Sequence, residues 1–279
     1  MRKYAIGAVV SGALALSALA VPSASAATPD LSFSGVAVNN GKAVVVGTTN
    51  LVKVPVTYTF VRPAGLVIDG EKNSAGVLLY RGASLARQEN ELGPDEAPVC
   101  TTTATTATTV TQSCKEVIEV DPQEYLYEAA DAGTWKVAGF YGDTTVDDDD
   151  SDNHISMRFG YDMWGVPGTV QVKRAARLTV NATPEPVKKG ATLTVKGALT
   201  RADWNSGKYT GYTGQSAVLQ FKAKGATAYK AVKTVTSGTA GALSTTVIKA
   251  SADGTYRYAF AGTATTGTAT ATGDYVDVR

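Results

Sequence analysis

Residues 54–60 read VPVTYTF, and this stretch decides the fold class. Its large apolar side chains occupy every second position, with proline and threonine between them. A period of two places one set of side chains on a buried face of a β-strand and the other set on its outer face. The stretch therefore predicts a strand on one side of a packed sheet.

The same alternation recurs along the chain, and glycine-rich turns separate the copies. Asn40-Gly41 is a dipeptide typical of a two-residue hairpin turn. Only residues 122–131 (PQEYLYEAAD) predict a short helix. Many short strands with almost no helix predict an all-β protein of two tandem immunoglobulin-like β-sandwich domains. The further alternating runs lie at 135–141, 193–199, 217–221 and 256–260.

The composition excludes several classes of protein. The chain has 279 residues, of which 44% are hydrophobic, too apolar for a disordered protein. Two cysteines and one histidine exclude a disulfide scaffold and a metal centre built from those residues. The chain contains no G-x-S-x-G or H-E-x-x-H pattern, and we interpret His154 as a surface residue. We therefore expect no enzyme activity.

The N-terminus has the pattern of a signal peptide over residues 1–26. A basic start is followed by an apolar run at 5–20 and by small residues that end at Ala26. The apolar run is too short for a typical membrane span. We expect cleavage after Ala26, and a mature protein that is secreted, extracellular and without a membrane span.

Export predicts that Cys100 and Cys114 form a disulfide, because they are the only two thiols in an oxidising compartment. Closing a loop of about 15 residues contributes roughly 3 kcal/mol in the chain-entropy model. The enclosed segment, TTTATTATTVTQS, is interpreted either as a floppy loop that the bridge staples or as a loop displayed to a partner. The second interpretation leads to an alternative function, inhibition of an exported protease through residues 100–114.

Charge divides the chain at the predicted domain boundary, Ala175-Ala176. Residues 27–175 carry 11 Lys and Arg against 20 Asp and Glu, a net charge of −9, whereas residues 176–279 carry 13 against 5, a net charge of +8. The basic residues of the second half are dispersed, so we expect no nucleic acid partner. They favour weak attraction to anionic cell-wall polymers.

The second half resembles an immunoglobulin-like module of secreted actinobacterial proteins. The resemblance covers about 100 residues, with residues 30–175 similar to the N-terminal part of the same family. Its members are often labelled hypothetical or calcium-binding and have no assigned activity, so the resemblance implies fold and compartment. It rests on the spacing of Gly197, Arg201, Trp204, Tyr209, Gly211, Tyr212, Gly214-Gln215, Leu219 and Phe221.

Residues 143–154 supply enough oxygen donors for Ca²⁺, which takes six to eight. With Asp148 as the first ligand of an EF-hand, the sixth residue is Asn153 and the twelfth is Phe159, so that motif is rejected. Three interpretations stay open: a calcium site, a solvated loop tip, or an electrostatic latch to the basic half. A predicted turn at 162–168 would place this loop at the domain junction. The candidate metal ligands are Asp143, Asp147, Asp148, Asp149, Asp150 and Asp152.

Trp204, Tyr209 and Tyr212 form an aromatic group within residues 202–212 (ADWNSGKYTGY). One interpretation is a lid over the core of the second domain. The other is a binding surface for sugars or polymers.

Together these patterns predict a secreted, non-enzymatic binding or scaffolding protein of the extracellular or cell-wall environment. Its partner would be an extracellular protein or a cell-wall polymer. We expect no cofactor other than calcium at the aspartate-rich loop.

Overall fold

The computed structural model describes residues 29–147 and 156–279, and over these ranges the fold is all-β. The helical pieces in these ranges are three 3-10 turns of three residues each. The predicted helix at 122–131 is therefore wrong, and only its end, Ala129–Asp131, forms such a turn. The described residues contain no helix long and apolar enough to cross a membrane.

The first half of the chain forms two packed sheets. One is fully antiparallel, in the order β1-β3-β7-β6, and the other has the order β2-β9-β8-β4-β5, in which β2 runs parallel to β9. The strands are β1 (Ser32–Val38), β2 (Val44–Val46), β3 (Val52–Pro63), β4 (Asn73–Ser84), β5 (Arg87–Leu92), β6 (Val99–Thr105), β7 (Thr109–Val120), β8 (Gly133–Asp147) and β9 (Ser156–Arg174).

Alternating side chains from both sheets meet in one hydrophobic core, here called the first core. Val54, Val56, Tyr58 and Phe60 are all buried there, as the period of two in VPVTYTF predicts. Trp135 of β8 is fully buried in the same core.

The second half forms another pair of packed sheets. In one, β12 is central and pairs with β10, β11, β13 and β16; in the other, the order is β15-β14-β17-β18, and β19 also pairs with β17. The strands are β10 (Ala176–Leu178), β11 (Asn181–Thr183), β12 (Thr192–Asp203), β13 (Lys208–Gly211), β14 (Ser216–Ala223), β15 (Lys230–Thr236), β16 (Ala242–Lys249), β17 (Gly254–Phe260), β18 (Ala269–Thr270) and β19 (Asp274–Val276).

These sheets enclose a second core. Leu193, Leu219 and Tyr258 are fully buried in it, in agreement with the predicted alternation. Two successive pairs of packed sheets confirm the predicted fold class, tandem immunoglobulin-like sandwiches.

The Asn40-Gly41 turn does not close a hairpin. Asn39, Asn40 and Gly41 form a 3-10 turn in which all three residues have positive φ angles. The turn leads from β1 in one sheet to β2 in the other, so the chain crosses the sandwich instead of folding back on its neighbour.

Candidate functional site

The predicted disulfide is confirmed, and the segment that it closes is an ordered hairpin. Cys100 of β6 lies directly opposite Cys114 of β7, with their sulfur atoms 2.03 Å apart. The expectation of a floppy loop is wrong, because β-branched threonines suit a strand and fill most of β6. Thr106 organises the tip, where its hydroxyl accepts the backbone N–H of Thr109 at 2.9 Å. Inhibition of a protease through this hairpin stays a prediction.

Strands β8 and β9 flank the aspartate-rich segment, of which residues 148–155 lie outside the described ranges. Strands β8 and β9 pair continuously from Gly133↔Val172 to Asp147↔Ser156. The predicted turn at 162–168 is wrong, because these residues continue β9. Gly168, with φ of 149°, lies at a register irregularity that accommodates Pro167-Gly168 without reversing the chain.

The electrostatic latch stays a prediction, because most of its aspartates lie outside the described residues. Fourteen residue steps separate Gly133 from Asp147, which corresponds to roughly 46 Å at about 3.3 Å per residue. Lys173, Arg174 and Arg177 lie at the opposite end, beside the junction between the two halves. Exposed charges are screened over about 8–10 Å, so a charge at the Asp147 position is too far from these cations to attract them.

Calcium binding stays a prediction. Asp148, Asp149, Asp150 and Asp152 lie outside the described residues, as does His154. Within the described ranges, no three His, Cys, Asp or Glu side chains converge to hold a metal ion. Asp143 is half-buried opposite Asn73 on β4.

Trp204 leaves its own half of the chain and packs into the first core. It lies in the connection between β12 and β13, and only 3% of its surface is exposed. Its indole N–H points to the Val46 carbonyl oxygen at 3.4 Å. The expectation of a lid over the second core is therefore wrong, and Trp204 has almost no surface to offer a ligand.

Arg174, the last residue of β9, completes the junction. Its guanidinium carbon lies 4.7 Å from the centre of the Trp204 ring, and its side chain is buried. Burial, reinforced by the charge of Arg201, lowers the pKa of Arg174. Its backbone N–H donates to Thr265 and its carbonyl accepts from Gly267, both in the second half. These contacts hold the two sandwiches in one fixed relation.

The two tyrosines of the aromatic group serve different cores. Tyr209 packs against the first core, with the Arg177 guanidinium 3.6 Å from its ring centre. Tyr212 packs against the second core, where it meets Phe260 edge-on at 6.0 Å. The structure does not bring Trp204, Tyr209 and Tyr212 onto one exposed surface. The domain boundary at 175/176 stays a prediction, since the first core contains residues from both sides of it.

The turns before β8 and β17 each contain an aspartate that accepts backbone hydrogen bonds. Asp131 is fully buried and accepts hydrogen bonds from the backbone of Tyr127 and Glu128 and from Arg81 Nε at 2.9 Å. Asp253 accepts from the Val278 N–H at 2.9 Å. Residues 131–137 (DAGTWKV) and 253–258 (DGTYRY) are similar in sequence, and these bonds give a physical reason for that similarity.

Sequence reasoning missed Glu116, a carboxyl group inside the first core. It accepts hydrogen bonds from the Tyr58 hydroxyl and from the Val77 N–H, both at 3.0 Å. Because Tyr58 and Val77 belong to different sheets, the side chain ties the two sheets together. Burial raises the pKa of Glu116 to about 7. The only available signal was a Glu at an inward position of an alternating strand.

A basic face lies on the outer side of β14 and β17. Leu219 and Tyr258 point into the second core. Because side chains alternate along a strand, Lys222, three residues after Leu219, and Arg257, next to Tyr258, point outward. Both cations lie over the Tyr229 ring, with Arg257 Cζ 3.6 Å and Lys222 Nζ 5.0 Å from its centre. The basic face comprises these three residues. Lys230 and Lys233 of the neighbouring strand β15 are exposed but pair with Phe221 and Leu219, so they lie on the other side of the sheet.

No protein-family model and no curated protein matches the chain. Solved structures that match include the full ectodomain (Ig1–Ig3) of mouse nectin-like molecule 4, at 15% identity and a TM-score of 0.23. That match covers 90% of this chain but 64% of the ectodomain.

Another match is a chain in the crystal structure of a mouse coronavirus receptor-binding domain complexed with its murine receptor. It has 11% identity and a TM-score of 0.29 and covers 89% of this chain and 100% of that one. A third is the CupB6 tip adhesin from Pseudomonas aeruginosa, with 9% identity, a TM-score of 0.18 and coverage of 88% and 99%. All three scores are below 0.5, so the fold and the candidate function rest on the chain's own residues.

Proposed function

We propose that the exported chain is a non-enzymatic binding and scaffolding protein of the extracellular or cell-wall environment. In this proposal its basic face holds an anionic polymer of the wall. The observation that carries the proposal is the placement of Lys222 and Arg257 over Tyr229 on an open sheet face.

The charges around this face support a polyanion as the ligand. Asp253, an acidic residue near this face, already has partners of its own. Its carboxylate forms an ion pair with Lys224 at 3.3 Å and accepts a hydrogen bond from the Val278 N–H. Lys230 and Lys233 of the adjacent edge strand are exposed on the other side of this sheet and add to the positive charge around it. Cations on and around a sheet face suit a repeating phosphate or carboxylate chain, whose counterions are released on binding.

The junction supports a scaffolding role. A tandem protein whose halves move freely would present its surfaces at no fixed distance. Here Trp204 and Arg174 are buried between the halves. The basic face is therefore presented in a constant position relative to the disulfide-bonded hairpin.

The proposal is tested by co-sedimentation of the mature protein with a phosphate-rich wall polymer. The variant with Lys222→Glu and Arg257→Glu should lose binding, and wild-type binding should weaken steeply with salt. The matched control has Lys196→Glu and Lys249→Glu, two exposed residues of the other sheet that change the net charge equally. This control should keep most of the binding.

Equal loss in both variants would reduce the effect to net charge and contradict a dedicated face. Equal binding of a neutral wall polymer, unaffected by salt, would contradict the polyanion as the ligand.

A further inference from the structure

Strand β6 is an open sheet edge with an unusual composition. It pairs with β7 on one side and forms the end of its sheet on the other. Its sequence, VCTTTAT, contains no charged residue and no proline, and every residue except Cys100 is exposed. An exposed, uncharged edge strand is a template for pairing with another strand.

Other sheet edges of the described chain carry features that oppose such pairing. Strand β5 has three charged residues among its six, and β15 has two lysines among its seven. Strand β1 contains a register shift at Gly35, whose φ is 60°. Charges and bulges are established means of blocking edge-to-edge pairing, and β6 carries no charge.

The backbone geometry shows which groups of β6 are available. Cys100 and Cys114 have their Cα atoms 4.1 Å apart, the short separation of a non-hydrogen-bonded antiparallel pair. The N–H and C=O groups of Cys100 therefore point away from β7, and two residues on, those of Thr102 do the same. Thr103 lies at a register shift that ends the regular run.

We propose that two copies of the chain associate through β6, paired antiparallel about a two-fold axis at Thr101. Cys100 of one copy would exchange two hydrogen bonds with Thr102 of the other. The two-fold axis generates the same two bonds between Thr102 of the first copy and Cys100 of the second. The four bonds would join two four-stranded sheets into one of eight strands. The interface is self-complementary, because the same patch serves both copies.

The residues around β6 favour a second copy over a charged partner. Antiparallel pairing about Thr101 places the acidic residues before the strand, Asp95 and Glu96, opposite the uncharged residues 106 and 107. No like charges meet along the edge, and threonine meets threonine at the axis. Cross-strand Thr–Thr pairs are favourable, whereas an uncharged edge offers nothing that would select a charged peptide.

The association should be weak. Four hydrogen bonds and a few exposed side chains bury less than the area of about 1,200 Å² below which complexes are typically transient. We therefore expect a dimer that forms reversibly as the protein concentration rises.

Sedimentation velocity of the mature protein over a roughly hundredfold concentration range tests the proposal. Thr101→Lys places two like charges at the axis and should weaken dimerisation by roughly fivefold or more. Ser113→Lys is the matched control, since Ser113 is the exposed partner of Thr101 on β7. Its two copies would lie about 14 Å apart, three strand spacings, beyond the screening length.

A second variant tests the hydrogen bonds themselves. Thr102→Pro removes an N–H that points to solvent in the monomer, so the β6–β7 ladder keeps its bonds. It should abolish the dimer without lowering the melting temperature of the monomer. In wild type, hydrogen exchange at the Cys100 and Thr102 amides should slow as concentration rises.

A wild-type protein that stays monomeric throughout the range would overturn the proposal. So would equal dimerisation of the Thr101→Lys and Ser113→Lys variants. Slowed exchange at Cys100 and Thr102 on addition of an exported protein, with no dimer at any concentration, would assign this edge to that partner instead.

Discussion

Replacing Trp204 with alanine should destabilise the first sandwich, although the residue lies in the second half of the sequence. Trp204 is 3% exposed and belongs to the first core. The replacement would leave a cavity between the halves and remove the ring over which Arg174 lies. The buried cation would then lose its aromatic neighbour.

The magnitude follows from the contacts. Truncation of a buried Trp to Ala typically costs about 3–5 kcal/mol. The stacked Arg174 places the expected loss in the upper part of that range, since a desolvated cation–π contact is worth about 2 kcal/mol. The indole hydrogen bond adds little, because 3.4 Å exceeds the normal N–H···O range. We expect a loss of about 4 kcal/mol, and a much smaller loss for Trp204→Phe, which keeps an aromatic ring.

Native-state hydrogen exchange can assign the loss to one core. Trp204→Ala should lower protection of amides around Val54 and Val172 and leave those around Tyr258 less affected. Leu219→Ala, in the second core, is the matched control and should give the opposite distribution. If protection around Val54 is unchanged while that around Tyr258 collapses, Trp204 belongs to its own domain and the junction described above is wrong.

Three further outcomes are expected. Glu116→Gln should match wild type near pH 4.5 and exceed its stability by up to about 3 kcal/mol above pH 8, as measured by urea titrations at both pH values. The reason is that a pKa raised from 4.5 to about 7 makes the stability of wild type fall as the pH rises from about 4.5 to 7, while the glutamine variant does not titrate. Thiol labelling of the unreduced, denatured protein should find Cys100 and Cys114 blocked, and replacing both with alanine should cost roughly 3 kcal/mol in thermal unfolding. If the aspartates in residues 148–152 bind calcium, millimolar Ca²⁺ should raise the melting temperature of wild type but not of a variant with these aspartates changed to asparagine; no shift in wild type would leave the segment without a calcium role.

The alternation of buried and exposed residues was predictable wherever a strand has one face in a core. VPVTYTF and the strand Gly254–Phe260 both follow the period of two in the structure. The observed conformations of residues 122–131 and 162–168 were not predictable from local composition. Residues 162–168 combine glycine, proline and tryptophan, which together indicate a turn, yet pairing with β8 holds them in a strand. Tertiary pairing overrides local preference at such positions.

The incorrect predictions share one physical cause. Which core receives Trp204, and which end of β8 carries the aspartates, depend on how whole strands are laid beside one another. Periodicity reports whether a side chain is buried but not against what it is buried. Glu116 shows the same limit, since an acidic residue at an inward position reads as an interruption until its partners from both sheets are known.

The residues that carry the family resemblance divide into two physical tasks. Leu219 and Phe221 fill or line the second core, as any sandwich requires. Trp204 and Tyr209 instead pack on the first core, which belongs to the preceding sandwich. Near them, Gly211 allows a close approach, because a Cβ there would overlap the backbone of Ala240. A sandwich that stood alone would expose Trp204 to solvent, so its spacing from the second-core residues indicates a module built to follow another sandwich.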